Sequence, residues 1–219
     1  MLRSLSDAVG TVVRVLLLTG GLDSTALAWM LEIDRALFVD YGQRPARGEE
    51  RAARAVADAI GIPLDVQRVD LSAFGHGTMS TTGTAMPGAG GTPEFWPYRN
   101  QMLVTLAAMA YAAEPLTEIV VGTVVGDDAH PDGRPEFIED IDRIVSRQSG
   151  VRVVAPALGM TTLELVRKAA VPRSVLGWTF SCHTGEWACG SCRGCNKHRN
   201  VISCLAEDEP ISTLPSERV

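Results

Sequence analysis

The run Thr11-Val12-Val13-Arg14-Val15-Leu16-Leu17-Leu18, ending on Thr19-Gly20-Gly21, constrains the fold more than any other feature of this chain. A β-branched and aliphatic stretch of that length suits a strand buried on both faces, the environment of a parallel sheet. Ser24 to Leu31 then predicts a helix, with Asp23 or Ser24 as its cap. The alternation repeats. Further strands are predicted at Ala36 to Asp40, Leu64 to Val69, Glu118 to Gly122 and Val151 to Ala155. Helices are predicted over 46–60, 100–113, 135–147 and 161–170, the first stopped by Gly61-Ile62-Pro63. Repeated βα units predict an α/β fold, a doubly wound parallel sheet with ligands at the carboxyl ends of its strands.

Composition removes several function classes. Lys and Arg total 20 against 26 Asp and Glu, a net charge of -6, which argues against a nucleic-acid partner for the surface as a whole. A local basic patch, Arg193, Lys197, His198 and Arg199, keeps a small RNA-binding surface as the least favoured reading. No apolar run reaches membrane-spanning length, so no membrane partner is expected. Met1 to Asp7 lacks the basic-then-apolar layout of a secretion signal, which makes the cytoplasm the expected compartment.

Between Gly75 and Pro93 lie six glycines and two prolines in nineteen residues, a composition that predicts a mobile loop. It is either a surface insertion or a lid over substrate, since it leads directly into Trp96-Pro97-Tyr98-Arg99-Asn100. The glycines of Leu18-Thr19-Gly20-Gly21-Leu22-Asp23-Ser24-Thr25 let the backbone approach an anion at a helix N-terminus. Thr19, Ser24 and Thr25 add hydroxyls, and Asp23 could orient the loop or hold Mg2+. The bland alternative is an ordinary glycine turn with an Asp or Ser cap. No Gly-Lys-Ser/Thr follows, so this is no Walker A loop.

All five cysteines fall in the last quarter of the chain. Cys182-x6-Cys189-x2-Cys192-x2-Cys195 supplies four thiolates, enough to close a tetrahedral structural zinc site. An iron–sulfur cluster and redox thiols are the alternatives. Cys204 lies outside this spacing and is expected to be a buried apolar residue.

Thr19-Gly20-Gly21-Leu22-Asp23-Ser24 resembles the PP-loop of ATP pyrophosphatases, S-G-G-x-D-S, with Thr for the leading Ser. With the cysteine spacing, Tyr41-Gly42-Gln43-Arg44, Pro97-x-Arg99-Asn100 and Gly122 through Asp127 to Pro131-Asp132-x-Arg134, the chain resembles the 7-cyano-7-deazaguanine synthase family. The resemblance implies an adenine nucleotide alpha hydrolase-like PP-loop domain over residues 1–180. A zinc-binding segment, residues 181–219, would pack on it. It implies an ATP-dependent ligase that adenylates 7-carboxy-7-deazaguanine and reacts it with ammonia, giving amide and then nitrile. An alternative passes the adenylated acid to another amine, a protein amine included, and stops at the amide. By resemblance ATP binds at Leu18 to Thr25, with Asp23, Ser24 and Arg99 catalytic. Gln43, Arg44, Arg99, Asn100, Asp127, Asp132 and Arg134 would meet substrate. Zn2+ would sit on Cys182, Cys189, Cys192 and Cys195, and a homodimer is the usual oligomer of the family.

Four places depart from the family pattern. Tyr98 replaces a glycine, and Pro45 a residue that is commonly His. The stretch from Asp127 to Pro131 is one residue shorter, with His130 for Tyr and Gly133 for Cys. A lysine usual after the fifth strand is absent from Met160 to Glu164, Arg167 and Lys168 being the nearest basic residues.

Overall fold

The structure, a computed structural model, describes residues 13–82, 92–127 and 130–207. Its strands are β1 Val13–Leu17, β2 Arg35–Asp40, β3 Leu64–Arg68, β4 Leu116–Val120 and β5 Arg152–Val154. They form one sheet in the order β3-β2-β1-β4-β5, with every pairing parallel. The helices are α1 Leu22–Met30, α2 Ala46–Ile60, α3 Arg99–Ala110, α4 Pro135–Ser149, α5 Thr162–Ala169, α6 Arg173–Leu176 and α7 Arg193–Glu207. Alternate strand residues face opposite sides. Leu16, Phe38 and Val120 pack with Leu27 of α1, Val56 of α2, Leu165 of α5 and Val201 of α7. Val15, Leu37, Val39, Ile119 and Val153 pack on the other side with Val104 of α3 and Ile141 of α4. The sheet is therefore doubly wound. Its order reverses between β1 and β4, which opens a crevice at the carboxyl ends of those strands.

The predicted strands and helices are present, with ends shifted by a few residues. Thr11 and Val12 lie outside the described residues. Asp23 and Ser24 do not cap α1. Gly21 is its N-cap, and the Ser24 hydroxyl instead donates to the Gly21 carbonyl at 3.3 Å and accepts from the Thr19 N–H at 3.3 Å. That side chain ties the loop to itself. The short α6 and the fifteen-residue α7 were not predicted, because the cysteines masked the apolar stripe Val201, Ile202 and Leu205 that seats α7 on the core. Cys204 is half-buried on α7 rather than in the core.

Residues 83–91 of the expected loop lie outside the described residues. Its described flanks are packed: the Thr78 N–H donates to the Pro93 carbonyl at 2.7 Å, and Ser80 is fully buried, its hydroxyl 2.8 Å from that of Thr82. Among the described residues no helix is long and apolar enough to cross a membrane.

Candidate functional site

A cavity of about 680 Å3 occupies the crevice, lined by Leu17 and Leu18 of β1 and its loop, Val39 of β2, and Val121 and Gly122 after β4. That volume is in the range that holds a nucleotide-sized ligand. At one end is the glycine loop. Gly20 has φ +75°, and a Cβ there would stand 2.6 Å from Ala52 Cβ and 2.7 Å from the Ala53 nitrogen of α2. Only glycine lets the loop lie this flat on α2, so that Thr19, Gly21, Asp23 and Ser24 line the cavity together. The first N–H groups of α1 have no intrahelical partner and carry the positive end of the helix dipole, which suits an anion. Asp23 Oδ2 accepts from Lys197 Nζ at 3.0 Å, while its Oδ1 is buried without a partner. An unclaimed carboxylate oxygen beside a helix terminus that suits an anion fits Mg2+. Leu18 also lines the cavity; Thr25 and Gly20 do not.

The other end is a polar cluster. Gln43 reaches from the loop after β2, accepting from the Tyr41 N–H at 2.8 Å and donating to Glu49 Oε2 at 2.8 Å. With a further bond from Nε2 to the Val39 carbonyl at 3.3 Å, the amide is consumed in holding the β2 loop to Glu49, a carboxylate on the apolar face of α2. Burial pushes Glu49 up to about 7, against the pull of Gln43 and Arg99. Arg99 opens α3 and donates to Asn100 Oδ1 at 3.2 Å. Asn100 in turn donates from Nδ2 to the Asp132 carbonyl at 3.0 Å. Asp132 is buried, with Oδ2 on the Asn100 N–H at 3.3 Å and Oδ1 unpartnered. Asp127 lines the wall between the two ends and accepts from the Val124 N–H at 3.1 Å. Burial raises its pKa.

Two expected substrate residues are elsewhere. Arg44 and Arg134 are exposed and do not line the cavity. Arg44 is bound through its backbone, N–H to the Met79 carbonyl at 2.7 Å, and the turn that makes this bond directs the side chain outward. Arg134 is the N-cap residue of α4.

Cations come instead from the C-terminal segment. The chain returns to the glycine loop where the Phe180 N–H donates to the Gly20 carbonyl at 2.8 Å. Arg193, Lys197 and His198 of α7 then line the cavity. Arg193 holds Glu94 Oε1 at 2.7 Å. Burial alone would raise the Glu94 carboxyl, yet His130 and Arg193 among its neighbours hold it down at about 2. Arg193 is the firmer partner, because His130 Nε2 stands 3.8 Å away, beyond hydrogen-bond range.

Cys182, Cys189, Cys192 and Cys195 bring their four Sγ atoms within 4.8 Å of one another. Backbone N–H groups of Cys192, Cys195 and His183 donate to sulfur at 3.3, 3.4 and 3.4 Å, the pattern that stabilises thiolates. All-sulfur donors near tetrahedral spacing fit Zn2+ as a structural ion with no open position.

A family model described as queuosine biosynthesis protein QueC matches residues 13–203. The chain belongs to this family. It is 33% identical over 215 residues to the 7-cyano-7-deazaguanine synthase of Methanoculleus marisnigri, covering 90% of this chain and 96% of that one. It is 32% identical to that of Koribacter versatilis, covering 92% and 93%, and 34% identical to that of Methanothrix thermoacetophila, covering 84% and 91%.

Departures from the family pattern now have physical reasons. Tyr98 takes φ +61° and is 78% exposed. A glycine suits that left-handed backbone, and a bulky ring there is strained. The tyrosine turns its ring to solvent, so it does not crowd the cavity. Gly133 packs directly against the backbone of Asp127. A Cβ at 133 would collide with the Asp127 carbonyl oxygen and lie 2.7 Å from its carbon. Arg167 and Lys168 are exposed and do not line the cavity, whereas Thr162 does.

Glu49 and Glu94 escaped the sequence reading, and Lys197 entered it only as part of a basic patch, not as a cavity residue. Glu49 had a signal: it shares a helical face with the buried Ala46, Ala53, Val56 and Ala57, an odd place for an acid. Glu49→Gln is expected to gain thermal stability over wild type as pH rises. Below the unfolded value of 4.5 both states hold the proton. Between 4.5 and about 7 the unfolded chain ionises first, so wild-type stability falls by at most about 3 kcal/mol. Melting curves of both proteins from about pH 5 to about pH 8 check this, and parallel curves contradict it.

Proposed function

We propose that this chain uses ATP to adenylate the carboxylate of a 7-carboxy-7-deazaguanine-like acid and combines the product with ammonia, giving the amide and then the nitrile. The observation that carries the reading is one cavity with an anion cradle at Thr19 to Ser24 and a carboxylate with an unclaimed oxygen, Asp132, at its other end. The family relatives supply the substrate class.

A carboxylate is a poor electrophile. Attack of its oxygen on the α-phosphorus of ATP expels pyrophosphate and leaves an acyl adenylate. Ammonia then attacks the acyl carbon, AMP leaves, and a proton is lost. A second ATP activates the amide oxygen in the same way; loss of AMP with the remaining N–H protons forms the nitrile. Both rounds need the same parts. The first N–H groups of α1 bind phosphate oxygens and oppose the charge that grows on the leaving pyrophosphate. Mg2+, held by Asp23, would supply further charge neutralisation there. Asp132 Oδ1 accepts from the N–H edge of the guanine-like ring. Arg99 faces the acid's carboxylate, a fork suited to planar anions. Glu49, poised at about 7, takes the proton released as ammonia attacks.

Protein, ATP, magnesium, the acid and ammonia are incubated and followed by mass. Nitrile with AMP is the expected product. An AMP-forming reaction that stalls at amide, or that requires a different amine, replaces the last step with transfer. Absence of AMP under all these conditions overturns the proposal.

A further inference from the structure

The pyrophosphate leaving from the glycine loop needs a mobile cation, and few side chains in the cavity can provide one. Among the described residues, Arg99, Arg193 and Lys197 are the lysines and arginines of its lining. Arg99 belongs to the polar cluster at the far end, where Tyr41, Asp132 and Glu49 act on it. Arg193 is committed to Glu94 at 2.7 Å and to the Gly126 carbonyl at 3.3 Å. The segment after β5 that lines the cavity, Thr161 to Leu163, brings no charge; Thr162 Oγ1 is buried there without a partner.

Lys197 differs from both arginines. Its ammonium stands 3.0 Å from Asp23 Oδ2, in the first turn of α1 and beside the loop glycines. It also acts on Asp127, the other carboxylate on that wall. Its side chain is 41% exposed, so it is held by a carboxylate and not by packing. The position follows from α7. Arg193, Lys197, Val201 and Leu205 form one i, i+4 row, basic over the cavity and apolar over the core. Cys192 and Cys195 anchor the start of that row.

We propose that Lys197 binds the β- and γ-phosphates of ATP and the departing pyrophosphate, moving onto them from Asp23. In the resting site the ammonium neutralises Asp23. An incoming polyphosphate offers it several oxygens in place of one carboxylate, and the exchange releases Asp23 Oδ2 toward a divalent cation. The cation is thus delivered from the zinc-anchored helix and not from the sheet's own loops. This assignment deepens the ATP-splitting reading and rests on it.

The test is calorimetric titration of wild type, Lys197→Met and Lys197→Arg with inorganic pyrophosphate and with ATP, alongside zinc content and melting temperature. A charge-assisted contact of this kind predicts pyrophosphate binding about tenfold or more weaker in Lys197→Met and largely restored in Lys197→Arg. Zinc content and melting temperature should match wild type. Equal binding by wild type and Lys197→Met overturns the lysine's role and leaves ATP splitting intact. Loss of zinc or a large drop in melting temperature in both variants makes Lys197 a strut for α7, which also overturns it. Wild type that binds neither pyrophosphate nor ATP overturns the ATP reading and this assignment together. A second variant gives an independent check. In the absence of magnesium, Asp23→Asn frees the ammonium and should bind pyrophosphate at least as tightly as wild type. Weaker binding there contradicts the exchange.

Discussion

Asp23→Asn should release AMP at least a hundredfold more slowly than wild type under saturating ATP and magnesium, with zinc content unchanged. The side chain sits in the first turn of α1 with Oδ1 buried and unpartnered, the position from which a carboxylate would hold Mg2+ against polyphosphate. An amide keeps the shape but loses the charge, and loss of one preorganised charge contact typically costs about 10²–10³ in rate. Stability should change little. The Lys197 partner is 41% exposed, and exposed ion pairs contribute about 0–1 kcal/mol. The measurement is AMP formation against magnesium concentration, with metal analysis of the same sample. Retained AMP release would remove Asp23 from the chemistry and leave it as a tether for α7.

Gly133→Cys is the second large effect. It installs the residue of the family pattern, so a purely sequence-based view expects it to be neutral or beneficial. The structure predicts the opposite. A Cβ at 133 would overlap backbone atoms of Asp127, with that residue's carbonyl carbon at 2.7 Å and its Cβ at 3.1 Å. No rotamer can relieve a clash with backbone, so either Asp127 or the segment 130–133 must move. Overpacking of this kind costs about 1–3 kcal/mol, or roughly 3–10 °C in melting temperature for a domain of this size. Asp127 and Asp132 both line the cavity, so a shift of either segment disturbs it. The KM for the acid should therefore rise about tenfold or more, by loss of paired polar contacts of 1–2 kcal/mol. The KM for ATP should rise less, because Thr19 to Ser24 belong to the glycine loop and the first turn of α1, away from this segment. An unchanged melting temperature and unchanged KM values would show that either segment relaxes freely.

Local patterning was informative wherever one segment decides its own structure. The apolar run into Gly20-Gly21 forms β1 and the loop, and the Ala-rich stretch 46–60 is α2 to the residue. The cysteine spacing brings four sulfurs together. These depend on backbone sterics, helical periodicity and short loops, all encoded within a few residues. Side-chain direction was less legible. Arg44 and Arg134 sit in the right motifs but leave the cavity, because one backbone hydrogen bond or one helix start turns them outward. Glu49 stood on the alanine face of α2, a signal that marks an odd place for an acid but not the partner that holds it. Its burial depends on the loop after β2, whose Gln43 it meets.

By itself, then, the sequence determined the parallel α/β sheet, the glycine loop at the end of β1, the cysteine cluster and the family these imply. Each is a short-range pattern that retains its meaning in any context. Only the tertiary structure decided which charges share the cavity. Lys197 meets Asp23 across 174 residues of chain, and Arg193 meets Glu94 across 99. Such pairs arise from where α7 is seated. That placement is set by the packing of Val201 and Leu205 on the core and by the cysteine cluster at the helix start together, and no local spacing records it.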